Sequence, residues 1–326
     1  MKQKTLLFGA LGMLVVLILF MVKDLFLSSP EPGNNPWKYD LETMKQADTM
    51  KPAYTMVKAI PSGLQGLVAI ATGPGDRIYT TGAGGAEIYD SACRLLLRFD
   101  FEDTAYALTV DSTGNLWMSM GDHVEVWNKT GKKLQTLKSA GRGSLITSLA
   151  LTGSSLLIAD AGLKVVYHYD HMGNMINRIG EKDPVRKVPG FVIPGPWFDL
   201  AVSPDGSLWI ANPGRHELEQ YRFDGQRLLS WGKPGIGIPE FCGCCNPSHF
   251  TFLPDGSFVT SEKGIERIKV YNPRGKFSAV VALPGDFDEG TRGLDLATDS
   301  RGRILVVDPV RKQIRIFVKR STTSNN

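Results

Sequence analysis

A chain of 326 residues, 42% hydrophobic and 21% charged, is long enough for one large domain and too apolar to be disordered. Its 35 glycines and 19 prolines argue against a helical bundle, because long helices tolerate neither residue. Basic and acidic residues, 37 against 33, leave a net charge of +4 and no reason to expect nucleic-acid binding, and four cysteines are too few for a disulfide framework.

The chain starts with a positive Met-Lys-Gln-Lys, and residues 5–22 then carry no charge. Crossing a hydrocarbon core takes about 20 apolar residues, so residues 1–28 read as an uncleaved signal-anchor transmembrane helix. A cleaved signal peptide is the rival reading. It lacks a small-x-small site, since Ser28 and Ser29 run straight into Pro30. Lys2 and Lys4 are expected on the cytoplasmic side, which places the remainder in a periplasm or extracellular space. Residues 29–52, with the run SPEPGNNP, read as a linker.

Six units follow, each an alternating apolar run, a glycine-centred turn and a second apolar run. The residue after the turn is Ile78, Leu116, Leu156, Leu208, Phe258 and Ile304, at spacings of 38, 40, 52, 50 and 46. Alternation beside a glycine turn is the pattern of a β-hairpin, and this period belongs to propeller repeats. A third strand ending in an aromatic and a fourth apolar run complete each unit, as in RIKVYNPRGK and FSAVV from Arg267. The last unit lacks a fourth run, whereas YTMVKAI (54–60) has no unit of its own. Pairing these two closes a ring and removes the open edges. The expected fold is all-β, a six-bladed propeller of four-stranded blades over 53–320, with a polar tail at 321–326.

The segment PDGSFVTSEKGIERIKVYNPRGK and its counterparts resemble NHL repeats over nearly all of 54–320. Blade 1 departs from the pattern, because Gly82-Ala-Gly-Gly85 replaces the charged connector. The resemblance implies six blades and leaves function open, since lactone hydrolases, an amidating lyase, sensors and scaffolds share the fold. Lactone hydrolases of this architecture hold calcium with acidic and amide groups at the channel, which draws attention to Asp199, Asn212, Glu262, Asp295 and Asp308. These residues also suit the satisfaction of backbone groups in propeller turns, the reading preferred here.

Two inter-blade linkers are long, 181–197 and 232–248, and strand order sends both to the same face. They define an expected crown-loop surface around Trp197, Arg215, His216 and Phe241. The second carries Cys242, Cys244 and Cys245, with His249 four residues on. Three thiols and an imidazole suit a soft-metal site for zinc or copper(I). A disulfide and a Cys242/Cys245 redox pair remain alternatives. His123, His168 and His171 are expected at the surface, and Cys93 stands apart. Two functions follow as expectations. One is a membrane-anchored extracytoplasmic binding or scaffold module, whose channel mouth meets a protein or small-molecule ligand, in an envelope redox setting suggested by the thiols. The other is a metal- or thiol-dependent enzyme or metal carrier built on the cysteine cluster.

Overall fold

In the computed structural model, residues 50–321 are described, apart from Ser154 and His171. The expected anchor, most of the linker and nearly all of the tail lie outside the described residues. Among the described residues, no helix is long and apolar enough to cross a membrane.

Six sheets form from strands taken in chain order. β1 (Tyr54–Pro61) stands first and joins the last sheet. Blade 1 holds β2 (Gly66–Gly73), β3 (Arg77–Tyr89) and β4 (Leu95–Thr104). Blade 2 holds β5 (Ala107–Val110), β6 (Leu116–Ser119), β7 (Val124–Trp127) and β8 (Lys133–Thr136). Blade 3 holds β9 (Ile146–Thr152), β10 (Ser155–Asp160), β11 (Val165–Asp170) and β12 (Met175–Ile179). Blade 4 holds β13 (Leu200–Val202), β14 (Leu208–Asn212), β15 (Glu217–Tyr221) and β16 (Arg227–Trp231). Blade 5 holds β17 (His249–Phe252), β18 (Phe258–Ser261), β19 (Ile268–Tyr271) and β20 (Phe277–Ala282). Blade 6 holds β21 (Leu296–Thr298), β22 (Ile304–Asp308) and β23 (Gln313–Lys319), completed by β1.

The closure expected from the missing last strand is present. β1 runs antiparallel to β23, with Tyr54 opposite Lys319 and Ile60 opposite Ile314. The Ala53 N–H donates to Val280 O, and the Arg320 N–H donates to Ala53 O, which tie the junction to its neighbours. Blade 1 differs from the expected four strands. Its sheet has three, because β3 runs unbroken through the Gly82–Gly85 connector, pairing first with β2 and then with β4. Glycine permits this close approach. A Cβ on Gly82 would stand 1.7 Å from Gly66 O, and one on Gly85 would stand 2.6 Å from Phe99 O.

The core lies between the blades. Alternate side chains of one strand point to opposite faces. Leu208 and Ile210 of β14 therefore join the cluster shared with blade 3, while Trp209 and Ala211 join the one shared with blade 5. In β22, Ile304 and Val306 face blade 5, whereas Leu305 and Val307 face blade 1. The outer strands are largely solvated, as β8 (Lys-Leu-Gln-Thr) is along its whole length. This division makes a mutational contrast. Ile316→Ala empties a fully buried position at the blade 6/blade 1 seam and should cost about 2–5 kcal/mol in denaturant unfolding. Ile176→Ala, on an exposed outer strand, should stay within about 0.5 kcal/mol.

Candidate functional site

The inner strands β2, β5, β9, β13, β17 and β21 surround a cavity of about 370 Å³ on the propeller axis. Three successive blades place polar side chains there from one register position: Asp199 before β13, His249 at the start of β17 and Asp295 before β21. Each lies seven residues ahead of the glycine of its hairpin turn, Gly206, Gly256 or Gly302.

The two carboxylates tie neighbouring blades together. The Ser148 hydroxyl and the Leu200 N–H donate to Asp199 Oδ1 at 2.5 and 2.9 Å, and the Phe250 N–H donates to Oδ2 at 2.8 Å. Blades 3, 4 and 5 therefore meet on a single side chain. Asp295 accepts from the Ile70 N–H at 2.8 Å and the Leu296 N–H at 2.9 Å, which links blade 6 to blade 1. Asp199 and Asp295 thus do satisfy backbone groups, as expected from the sequence.

They also flank the histidine. His249 Nδ1 faces Asp295 Oδ1 at 3.4 Å and Asp199 Oδ2 at 3.9 Å. Its ring meets Trp197 edge-on, with centroids 5.7 Å apart. Nε2 is buried and has no hydrogen-bond partner. Burial pushes Asp295 up to about 7 and Asp199 up to about 6; for Asp199 the nearby His249 opposes the rise and Asp295 adds to it. Burial lowers His249, with Asp199 opposing. Near neutral pH the imidazole is therefore uncharged. With its Nδ1 proton turned to a carboxylate, the buried Nε2 keeps an unpaired lone pair. Such a site can accept a hydrogen bond or a proton.

The other expected residues are placed differently. Cys244 is exposed, while Cys242 and Cys245 are buried, and none of the four cysteines is in a disulfide. The Cys244 and Cys245 sulfurs lie 3.1 Å apart. His249 turns instead to the channel carboxylates. Among the described residues, no group of three or more His, Cys, Asp or Glu side chains is disposed to hold a metal ion. The Asp199 oxygens are committed to three donors.

Phe241 was expected on a crown surface and is instead fully buried, packed on Trp231 and Tyr271. The cause is Lys269, itself fully buried. Its ammonium donates to Ile238 O and Glu240 O at 2.9 and 2.7 Å, pairs with Glu262, and lies over the Phe241 ring. This draws the 232–248 loop inward. Trp197 is half-buried against His249, and Arg215 is exposed. His216 is half-buried beside the Asn246 backbone, with Nδ1 unpartnered and its pKa lowered by burial. Each of the two long loops is hydrogen-bonded at the end of, or just after, the second strand of the blade it enters. The Val192 N–H donates to Asn212 Oδ1, and the Lys263 N–H donates to Asn246 Oδ1. His168, expected at the surface, is buried in β11, where its ring contacts Ser155 and Asn177. His171 lies outside the described residues.

The channel charges have a consequence for stability. Asp199 and Asp295 hold protons more tightly folded than unfolded. The folded state therefore binds more protons between about pH 4 and 7, and these groups lower stability as pH rises through that window. Replacing both with Asn should remove this contribution. In thermal melts, the melting temperature of the variant minus that of the wild type should rise from pH 5 to pH 8; a flat difference contradicts the assignment.

No family model matches the chain, and no curated protein matches it. Among solved structures the chain is similar to a streptogramin B lyase, with a TM-score of 0.55 and 10% identity over 82% of this chain and 98% of that one. It is similar to virginiamycin B lyase from Staphylococcus aureus, with a TM-score of 0.53 and 11% identity over 78% and 82% of the two chains. A protein of unknown function from Bacteroides caccae gives a TM-score of 0.52 and 12% identity over 68% and 83%. At these identities the likeness establishes the fold alone, a six-bladed all-β propeller.

Proposed function

We propose that this protein is a membrane-anchored, extracytoplasmic propeller of the NHL type that acts as a binding module. It takes a small ligand rich in hydrogen-bond donors, an amine or a polyol, at the axial cavity. The observation that carries this reading is His249 on the cavity wall, whose Nδ1 faces two carboxylates while its Nε2, beside Trp197, is buried without a partner. A buried polar atom without a partner costs stability, and a ligand donor that reaches it recovers that cost. The cavity of about 370 Å³ is within the size range of small-molecule sites. The carboxylates, where ionised, favour cationic or donor-bearing ligands over anions. The uncharged run at 5–22 behind Lys2 and Lys4 supports the anchor. The exposed Arg215 and the loops around it offer a surface to a protein partner.

A second reading rests on the same geometry. A neutral histidine oriented by carboxylates is the arrangement of a general base, and two of the structural neighbours are lyases. An enzyme centred on the cysteine cluster has less support, because His249 turns away from the thiols to Asp199 and Asp295.

The test is a thermal-shift titration of the full chain with primary amines and, separately, with polyols. One class should raise the melting temperature in a saturable way, and His249→Ala should abolish the rise. A shift that survives in His249→Ala, or none with either class, overturns the channel site. Recovery of an altered ligand after incubation selects the enzymatic reading. Cell fractionation tests the anchor separately: the full chain should sediment with membranes, and a chain beginning at residue 30 should not.

A further inference from the structure

The geometry points to a second, independent site on the 232–248 loop, where Cys244 and Cys245 form a vicinal dithiol that exchanges with an external low-molecular-weight disulfide. Cysteine spacing alone suggests Cys242 and Cys245 as a redox pair. The fold brings a different pair together: the Cys244 and Cys245 sulfurs are 3.1 Å apart. Cys244 is exposed and open to attack on a disulfide in solution, whereas Cys245 is buried behind it. Burial raises the pKa of the Cys245 thiol and the adjacent Cys244 adds to the rise, while the Lys263 side chain beside it opposes the shift, so Cys245 suits the second, intramolecular step rather than the first attack.

Cys242 is held out of the pair. It is buried, its N–H is bound to Glu262 Oε2, and its carbonyl accepts from the Asn246 side chain at 2.6 Å. Burial, and after it the Glu262 carboxylate near its thiol, disfavour a thiolate there. The loop that presents the pair is fixed on both flanks. Asn246 also donates to Lys263 O and accepts from the Lys263 N–H, and Lys269 anchors the Ile238 and Glu240 carbonyls. Gly243, with φ of 81°, allows the turn that exposes Cys244 next to it.

The exchange balances in two steps. The Cys244 thiolate attacks one sulfur of the external disulfide, forming a mixed disulfide and releasing the first thiolate. The Cys245 thiolate then attacks the Cys244 sulfur, closing the Cys244–Cys245 bond and releasing the second thiolate. The two protons lost by the protein thiols pass to the two thiolates released. The protein dithiol is oxidised by two electrons, and the external disulfide is reduced to two thiols. Across a trans peptide, adjacent Cα atoms are ~3.8 Å apart, below the ~4.4–6.8 Å that ordinary disulfides span, so this bridge is a reversible one rather than a structural staple.

The test equilibrates the full chain with oxidised glutathione, blocks remaining thiols by alkylation and maps the products by peptide mass spectrometry. The wild type should lose two hydrogens at Cys244 and Cys245 while Cys242 and Cys93 are alkylated, and excess reduced glutathione should reverse this. Cys245→Ser should stop with one glutathione on Cys244, and Cys244→Ser should remain fully alkylated at Cys245. Cys242→Ser should behave as the wild type, which separates loss of chemistry from loss of the loop. A bridge that includes Cys242, four alkylated cysteines in the wild type, or glutathione on Cys245 in Cys244→Ser overturns the proposal. None of these outcomes depends on a ligand in the channel.

Discussion

The pairing of β1 with β23 is the constraint on which the rest of the molecule depends. Each blade is apolar on two faces, since alternate residues of strands such as β14 and β22 serve different neighbours. An open array would leave two such faces wet. Supplying the last strand from the N-terminal side converts six stacked sheets into a ring, and Ile60 of β1 then packs in one cluster with Leu305 and Ile314. Closure also creates the axis. The hydrogen bond from the Ile70 N–H to Asp295 crosses the seam between last and first blades and exists only in the closed ring.

Residues near the ends of the second strands control the loops on one face. Asp160 accepts the Leu145 N–H, Asn212 the Val192 N–H and Glu262 the Cys242 N–H, so each holds the segment that enters its own blade. Side chains within the loops add to this. Val188, Phe191, Ile193 and Phe198 plug the interface of blades 3 and 4, and Phe191 lies where only a glycine at 180 leaves room. The long loops are therefore shaped parts of the core, which explains why Phe241 is buried while Cys244 nearby is exposed. Both proposed sites inherit this rigidity. Trp197 is fixed against His249, and the vicinal thiols are fixed beside Lys263.

The channel trio combines structure with chemistry at a cost. Burying two carboxylates is unfavourable unless donors surround them, and backbone N–H groups of adjacent blades supply those donors. The carboxylates still titrate upward, and the histidine still keeps an unpartnered nitrogen. Departures of this kind from a fully satisfied core concentrate where a protein has work to do.

Much of the architecture was legible in the chain itself. Period-two alternation and glycine turns are local, so six hairpins, their third and fourth strands and the orphan strand at 54–60 could be read without coordinates. Even the channel position left a trace, because Asp199, His249 and Asp295 precede their turn glycines by the same interval. What the sequence could not reveal is who meets whom across blades. Proximity in the chain suggested that His249 belongs with the cysteines a few residues away. In the structure, entry into β17 turns it towards carboxylates a full repeat distant on either side. Spacing likewise pointed to Cys242 and Cys245 as the pair, whereas Lys269 and Glu262, reaching in from blade 5, bury one stretch of the loop and leave Cys244 at the surface. Strand patterns are determined by neighbours along the chain. Sites on a propeller are decided by the ring, because every inner strand borders its two neighbouring blades at the same height.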